Sequence, residues 1–135
     1  MKGVDTNILV RYILQDDPRQ SQLATDFIEN ECSVEAPVFI NGIVLCELVW
    51  VLESAYEYPK KSIANVIEKI LRIRQFHIHE PEIAWKALHG YSSSGGADFS
   101  DHYIANLNMQ YGCDYTVTFD KKAARAVGFH HLVSQ

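Results

Sequence analysis

Short β-prone runs alternate with helical segments along almost the whole chain, and that alternation is the strongest constraint on its fold. Residues 1–5 read as a strand, and residues 6–15 as a helix with Ile8, Leu9, Tyr12 and Ile13 on one face. Asp17-Pro18 starts a second helix, running to about Asn30 with Leu23, Ala24, Phe27 and Ile28 inward. Glu35 to Phe39 is a strand, and Asn41 caps a helix reaching about Ala55. Pro59 and Ser62 precede a helix near 60–72, and Gln75 to His79 is a strand. Pro81 opens a helix to about Tyr91, and Asp98 or Ser100 caps another to about Tyr111. Tyr115 to Phe119 is a strand, Lys121 to Val127 a short helix, and His130 to Val133 a last strand. Strands separated by helices imply βαβ units, hence an α/β fold with a central parallel sheet wrapped by helices.

The length of 135 residues suits one domain with one core. The small-residue patch 92–97 reads as a loop before a helix, not as an interdomain linker. The first residues lack the apolar stretch of a signal peptide, and no apolar run approaches the roughly 18 residues of a membrane span. Three scattered cysteines (Cys32, Cys46 and Cys113) form no C-x-x-C pair, so neither a disulfide framework nor a zinc site is expected. Cys46, inside an apolar run, reads as a small buried hydrophobe. A reducing, cytoplasmic compartment is the expectation.

Several carboxylates stand in unusual company. Glu47 interrupts the apolar run Ile43 to Leu52. A helix apolar all round is expected to be buried. An ionised carboxylate there costs several kcal/mol unless it is paired or bound to a cation. The alternative is a glutamate on an exposed stripe. Asp5 and Asp120 each follow a strand and precede a helix, where ligands gather in open α/β sheets. Each also suits a helix N-cap. Asp98 and Asp101 sit three apart at a helix start and share a face, where they repel unless a cation lies between them. Capping accounts for one of them well and for the pair less well. Carboxylates gathered at one point select Mg²⁺ or Mn²⁺. Such a site suits hydrolysis of a phosphodiester, because metal acidifies the attacking water and neutralises the leaving oxygen.

Four stretches, in order, carry a resemblance. They are Asp5 to Tyr12, Leu45 to Leu52, Ala97 to Ala105, and Gly112-Cys113 with Thr118 to Ala123. Together they make the chain resemble the PIN-domain family, and within it the VapC-type toxins of toxin–antitoxin pairs. The resemblance spans essentially the whole chain. It implies a single PIN domain over 1–135, of three-layer αβα form with four or five parallel strands. It also implies a Mg²⁺-dependent endoribonuclease whose products carry 5′-phosphate and 3′-hydroxyl. On it, Asp5 and Asp101 are the principal metal ligands, and Glu47 and Asp120 complete the site or hold a second metal. Asp98 is an extra acid, either a ligand or a support to one. Thr6, Asn7 and Thr118 orient the carboxylates. Ser100 and His102 depart from the small apolar residues more usual in these toxins, which touches substrate fit and not metal binding. The resemblance further implies a cognate antitoxin whose C-terminal helix docks in a groove near Tyr56 and Tyr58, and a homodimer.

Arg11, Lys121, Lys122 and Arg125 are candidates for RNA phosphate contacts, against the plainer reading of solvated charge. The six histidines match no zinc spacing and read as surface or packing residues, as Trp50 reads as core or groove wall. A phosphatase of the haloacid dehalogenase type would need Asp-x-Asp after the first strand, where this chain has Asp5-Thr6-Asn7. A phospho-acceptor receiver would need a mid-chain aspartate at a strand end. A non-catalytic RNA-binding module with structural Mg²⁺ is the remaining competitor.

The net charge of −5 argues at first against a nucleic-acid partner. Setting aside the five candidate carboxylates leaves acids and bases equal. Bound Mg²⁺ would invert the local field where RNA approaches. The expectation is therefore metal-dependent RNA binding, weakened more by EDTA than by salt.

Overall fold

The computed structural model describes residues 1–93 and 95–133, so Ser94 of the small-residue patch lies outside the described residues. The chain divides into two compact units, Met1–His79 and Glu80–Gln135. Both are α/β with parallel strands, the class expected.

The first unit carries β1 (Lys2–Gly3), β2 (Val38–Ile40) and β3 (Phe76–Ile78) in one parallel ladder, ordered β1-β2-β3. Its helices are α1 (Thr6–Leu14), α2 (Pro18–Asp26), α3 (Gly42–Ser54) and α4 (Lys60–Arg72). β1 is shorter than the expected 1–5, and β2 begins three residues later than Glu35 and ends one later than Phe39. Pro37 joins the ladder only through its carbonyl, which accepts from the Lys2 amide at 3.2 Å. Leu9, Ile28, Val38, Ile40, Leu45, Leu48, Leu52, Ile63 and Ile67 are fully buried and form this unit's core. α2 continues into a π-helix, Phe27–Glu31, and the buried face runs through Ser21, Ala24 and Ile28, which leaves Leu23 61% exposed. The inward assignment of Leu23 is thus corrected.

Asn41 caps α3 as expected, its side-chain oxygen accepting from the Val44 amide at 3.0 Å. Removing that acceptor in Asn41→Ala should cost about 1 kcal/mol, because a first-turn amide loses its partner. A thermal melt should register this as a fall of about 3–5 °C.

α3 also holds the main correction. Its apolar residues do not all face inward: Ile43 is 72% and Trp50 68% exposed. Glu47 is exposed on the same stripe, at the helical spacing i, i+4, i+7. Glu47 is therefore not a buried charge, and Trp50 is not core. An all-apolar helix sequence does not reveal which sector its neighbours leave uncovered. Cys46 is half-buried, and burial pushes its thiol up to about 11, so it stays protonated at neutral pH.

The second unit carries α5 (Pro81–Ser93), α6 (Phe99–Gln110) and a parallel pair, β4 (Thr116–Thr118) with β5 (Phe129–His131). Between these strands the expected helix 121–127 is only a 3₁₀ turn, Ala123–Arg125. The turn buries Ala123 alone, too little apolar surface to hold a longer helix. The five strands thus pair three and two, in separate ladders. α5 and α6 pack closely through an aromatic row: Tyr91 meets Phe99 edge-on at 6.0 Å, and Phe99 meets Tyr103 at 6.2 Å. Close approach requires Gly90. A Cβ there would lie 2.4 Å from Nδ1 of the buried His102 ring.

The histidines pack rather than cluster: His77 and His79 lie against Phe39, and His130 stacks on Tyr115 at 4.0 Å. Among the described residues, no helix is long and apolar enough to cross a membrane.

Candidate carboxylate site

The candidate acids form two sets, one in each unit. In the first, Asp5 follows β1 by two residues and is the N-cap of α1, Oδ1 accepting from the Ile8 amide at 3.3 Å. Thr6, the first residue of α1, donates from Oγ1 to Oε1 of Glu47 at 2.8 Å. That bond links α1 to α3 and restrains a carboxylate that would otherwise sweep solvent. Asp5 and Asn7 line a groove of about 360 Å³, with Arg11, Leu23 and Phe27 among its other walls.

Arg11 is held in a local network. Its Nε donates to Gln20 at 2.7 Å, and Nη1 reaches Asp16 at 3.1 Å and the Tyr56 hydroxyl at 3.4 Å. Tyr56 in turn donates to Asp16 at 2.6 Å, which holds the Asp16 carboxyl below its usual range. The hydrogen bond with Tyr56, with Asp16 beside it, raises the Arg11 pKa. An RNA phosphate contact by Arg11 would have to share it with this network.

In the second set, Asp98 is the N-cap of α6 and Asp101 its third residue. Oδ2 of Asp101 accepts from the Asp98 amide at 3.0 Å, as in a capping box. Asp120 comes two residues after β4. Thr118 Oγ1 accepts from its amide at 3.0 Å, and its own Oδ1 accepts from the Lys122 amide at 2.8 Å. Thr118 thus fixes the turn that presents Asp120. Lys121, Lys122 and Arg125 follow, all exposed.

Capping and metal binding had looked like alternatives for these aspartates, yet the geometry leaves room for both. Asp5, Glu47, Asp101 and Asp120 each engage one oxygen. The second oxygen of each makes no hydrogen bond among the described residues. Such hard, accessible oxygens suit Mg²⁺ or Mn²⁺. Among the described residues, no three or more His, Cys, Asp and Glu side chains gather into a single metal-holding group.

Tyr58 lines a groove of about 640 Å³ in the first unit, whose walls mix Tyr12, Ile13 and Ile70 with Gln15, Glu29 and Lys69. Tyr56 packs edge-on against Tyr58 at 6.2 Å, while its hydroxyl engages Asp16 and Arg11. Two features escaped the sequence reading. One is the exposure of Trp50. The other is a cavity in the second unit whose walls come from α5, α6 and the 3₁₀ turn. Its residues are too scattered along the chain to form a motif.

Comparison with known proteins places these residues in a family. The PIN domain model matches residues 3–128, a span that includes every candidate carboxylate from Asp5 to Asp120. The chain is 27% identical over 122 residues to a VapC ribonuclease of Aquifex aeolicus (strain VF5), covering 90% of this chain and 89% of that protein. Nucleases with this domain generally depend on a divalent metal. The ordered carboxylate motifs and the match along nearly the full length agree, and the chain belongs to the PIN-domain family.

Proposed function

We propose that this chain is a single PIN domain acting as the Mg²⁺-dependent endoribonuclease of a toxin–antitoxin pair. The observation that carries the reading is the family match over 3–128, a span that contains all five acids. The similarity to a VapC ribonuclease supports RNA as substrate and a small antitoxin as partner.

Asp5 and Asp101 serve as the principal ligands of the cation, with Mn²⁺ as a substitute. Glu47 and Asp120 complete the set, and Asp98 supports Asp101 at the start of α6. When bound, the cation supplies a more acidic attacking water and neutralises the leaving oxygen. The chain's own groups orient the donors. Thr6 holds Glu47 through its hydroxyl, the Lys122 amide holds Asp120, and Asn7 stands beside Asp5 in the groove. Lys121, Lys122 and Arg125 attract the RNA backbone. The antitoxin's helix occupies the groove beside Tyr58, and the active species is a homodimer in the cytoplasm.

The test is cleavage of labelled single-stranded RNA with Mg²⁺, with Mn²⁺ and with EDTA. Cleavage should need metal, leave 5′-phosphate ends, and fall on EDTA addition far more than on raising salt. Equal cleavage in EDTA would sink the reading. Thr6→Val keeps the shape of the side chain and removes the donor to Glu47. It should lower activity about tenfold at limiting Mg²⁺, as loss of a group that orients a ligand does. Titrating Mg²⁺ should recover part of the loss, and a variant indistinguishable from the parent would remove Thr6 from the site.

A further inference from the structure

The cavity of the second unit encloses about 580 Å³, within the roughly 300–1,000 Å³ range of small-ligand sites. Its walls include Trp85 and Lys86 of α5, His102, Asn106 and Met109 of α6, and Arg125 of the 3₁₀ turn. Among the described residues no carboxylate lines it, although acids outnumber bases by five in the whole chain. Lys86 and Arg125 are exposed and make no ion pair among the described residues. The cavity therefore joins an aromatic ring and apolar wall to two uncompensated cations. Neutral apolar ligands would leave those cations unused, and inorganic anions would leave the ring and the apolar wall unused. A planar group bearing a phosphate uses both.

Position in the chain narrows the occupant. Ala97 and His102 line the cavity and are the immediate sequence neighbours of Asp98 and Asp101. We propose that this cavity is a subsite for one nucleotide of single-stranded RNA, its base against Trp85 and Met109 and its phosphate met by Lys86 and Arg125. The proposal rests on the ribonuclease reading and deepens it, since it assigns substrate positioning to residues outside the carboxylate motifs. Base–aromatic stacking contributes about 1–3 kcal/mol per base and tolerates any base, because each presents a π-face. The subsite thus strengthens binding of unpaired RNA and selects against duplex, whose bases are already stacked.

The chain has two tryptophans, so Trp50→Phe leaves Trp85 as the only indole reporter. Its emission is followed in the otherwise unmutated chain with Mg²⁺, in the first seconds after adding adenosine 5′-monophosphate, a tetranucleotide RNA, inorganic phosphate or an acidic peptide. The nucleotide and the RNA should quench Trp85, and phosphate and peptide should not. Lys86→Ala and Arg125→Ala should each raise the apparent Kd for the RNA about fivefold, and the salt dependence should flatten. In the cleavage assay, Arg125→Ala and Trp85→Leu should raise KM about tenfold with kcat within twofold, and Trp85→Phe should restore KM.

Silence of Trp85 toward RNA overturns the proposal. Equal quenching by phosphate alone makes the cavity a plain anion site and overturns it too. Unchanged apparent Kd in the two surface-cation variants, with unchanged melting, does the same. Failure of the ribonuclease reading shows separately, as absence of Mg²⁺-dependent cleavage by the unmutated chain. Trp85 quenching still decides the subsite in that case.

Discussion

Asp5→Asn should lower Mg²⁺-dependent RNA cleavage about a thousandfold, equivalent to about 4 kcal/mol of transition-state stabilisation. Thermal stability should stay within about 0.5 kcal/mol of the parent. The two halves of this expectation have different origins. Asp5 caps α1 by accepting from the Ile8 amide, and an Asn oxygen accepts that bond equally well. What Asn cannot supply is the negative charge on the second oxygen, which a hard divalent cation requires. The substitution therefore separates cap from ligand. Single-turnover cleavage beside a thermal melt measures both. Cleavage within tenfold of the parent would move the catalytic centre elsewhere, and a large drop in melting temperature would make Asp5 chiefly structural.

Gly90→Ala should destabilise the second unit by about 2–3 kcal/mol and lower the melting temperature by about 10 °C. On an exposed helix the same change would stabilise by nearly 1 kcal/mol, because Ala favours helix over Gly. Here the new methyl would meet Nδ1, Cε1 and Cγ of His102 at 2.4, 2.8 and 3.0 Å. Because Cγ is among the clashing atoms, a ring flip gives no relief, and the His102 side chain is buried. His102→Ala in the same chain should return most of the loss, so the double-mutant cycle carries a coupling of about 1–2 kcal/mol. A stabilised Gly90→Ala protein would show that α5 and α6 are spaced more widely than described.

The order of elements was legible because their local signals are strong. Asn41, Asp17-Pro18, Pro81 and Asp98 are start signals that act through the first turn alone, and each stands where its helix begins. Strand ends were less legible. A strand ends where its ladder partner ends, so β1 keeps only Lys2 and Gly3 against Val38 and Phe39. The helix expected over 121–127 shrank to a 3₁₀ turn because that segment buries little beyond Ala123.

The site divides along the same line. Carboxylate identity, order and spacing are properties of the sequence, and all five candidates lie within the family match over 3–128. Of the two readings open for Glu47, buried charge or exposed stripe, the structure selects the exposed stripe, with the carboxylate held by Thr6. Hydrophobic pattern records which residues are apolar. Which of them are covered depends on neighbours distant in the chain, and so Ile43, Trp50 and Leu23 face outward.

By itself, then, the sequence determined the α/β class, the helix starts and the family, because capping, periodicity and motif order are local along the chain. Only the tertiary structure decided that the aspartates cap with one oxygen and leave the other open, and that Arg11 is drawn into the Asp16–Tyr56 network. It alone assembled Trp85, Lys86 and Arg125 around one cavity. Those outcomes depend on which distant segments meet, and burial and hydrogen bonding between such segments leave no periodicity to read.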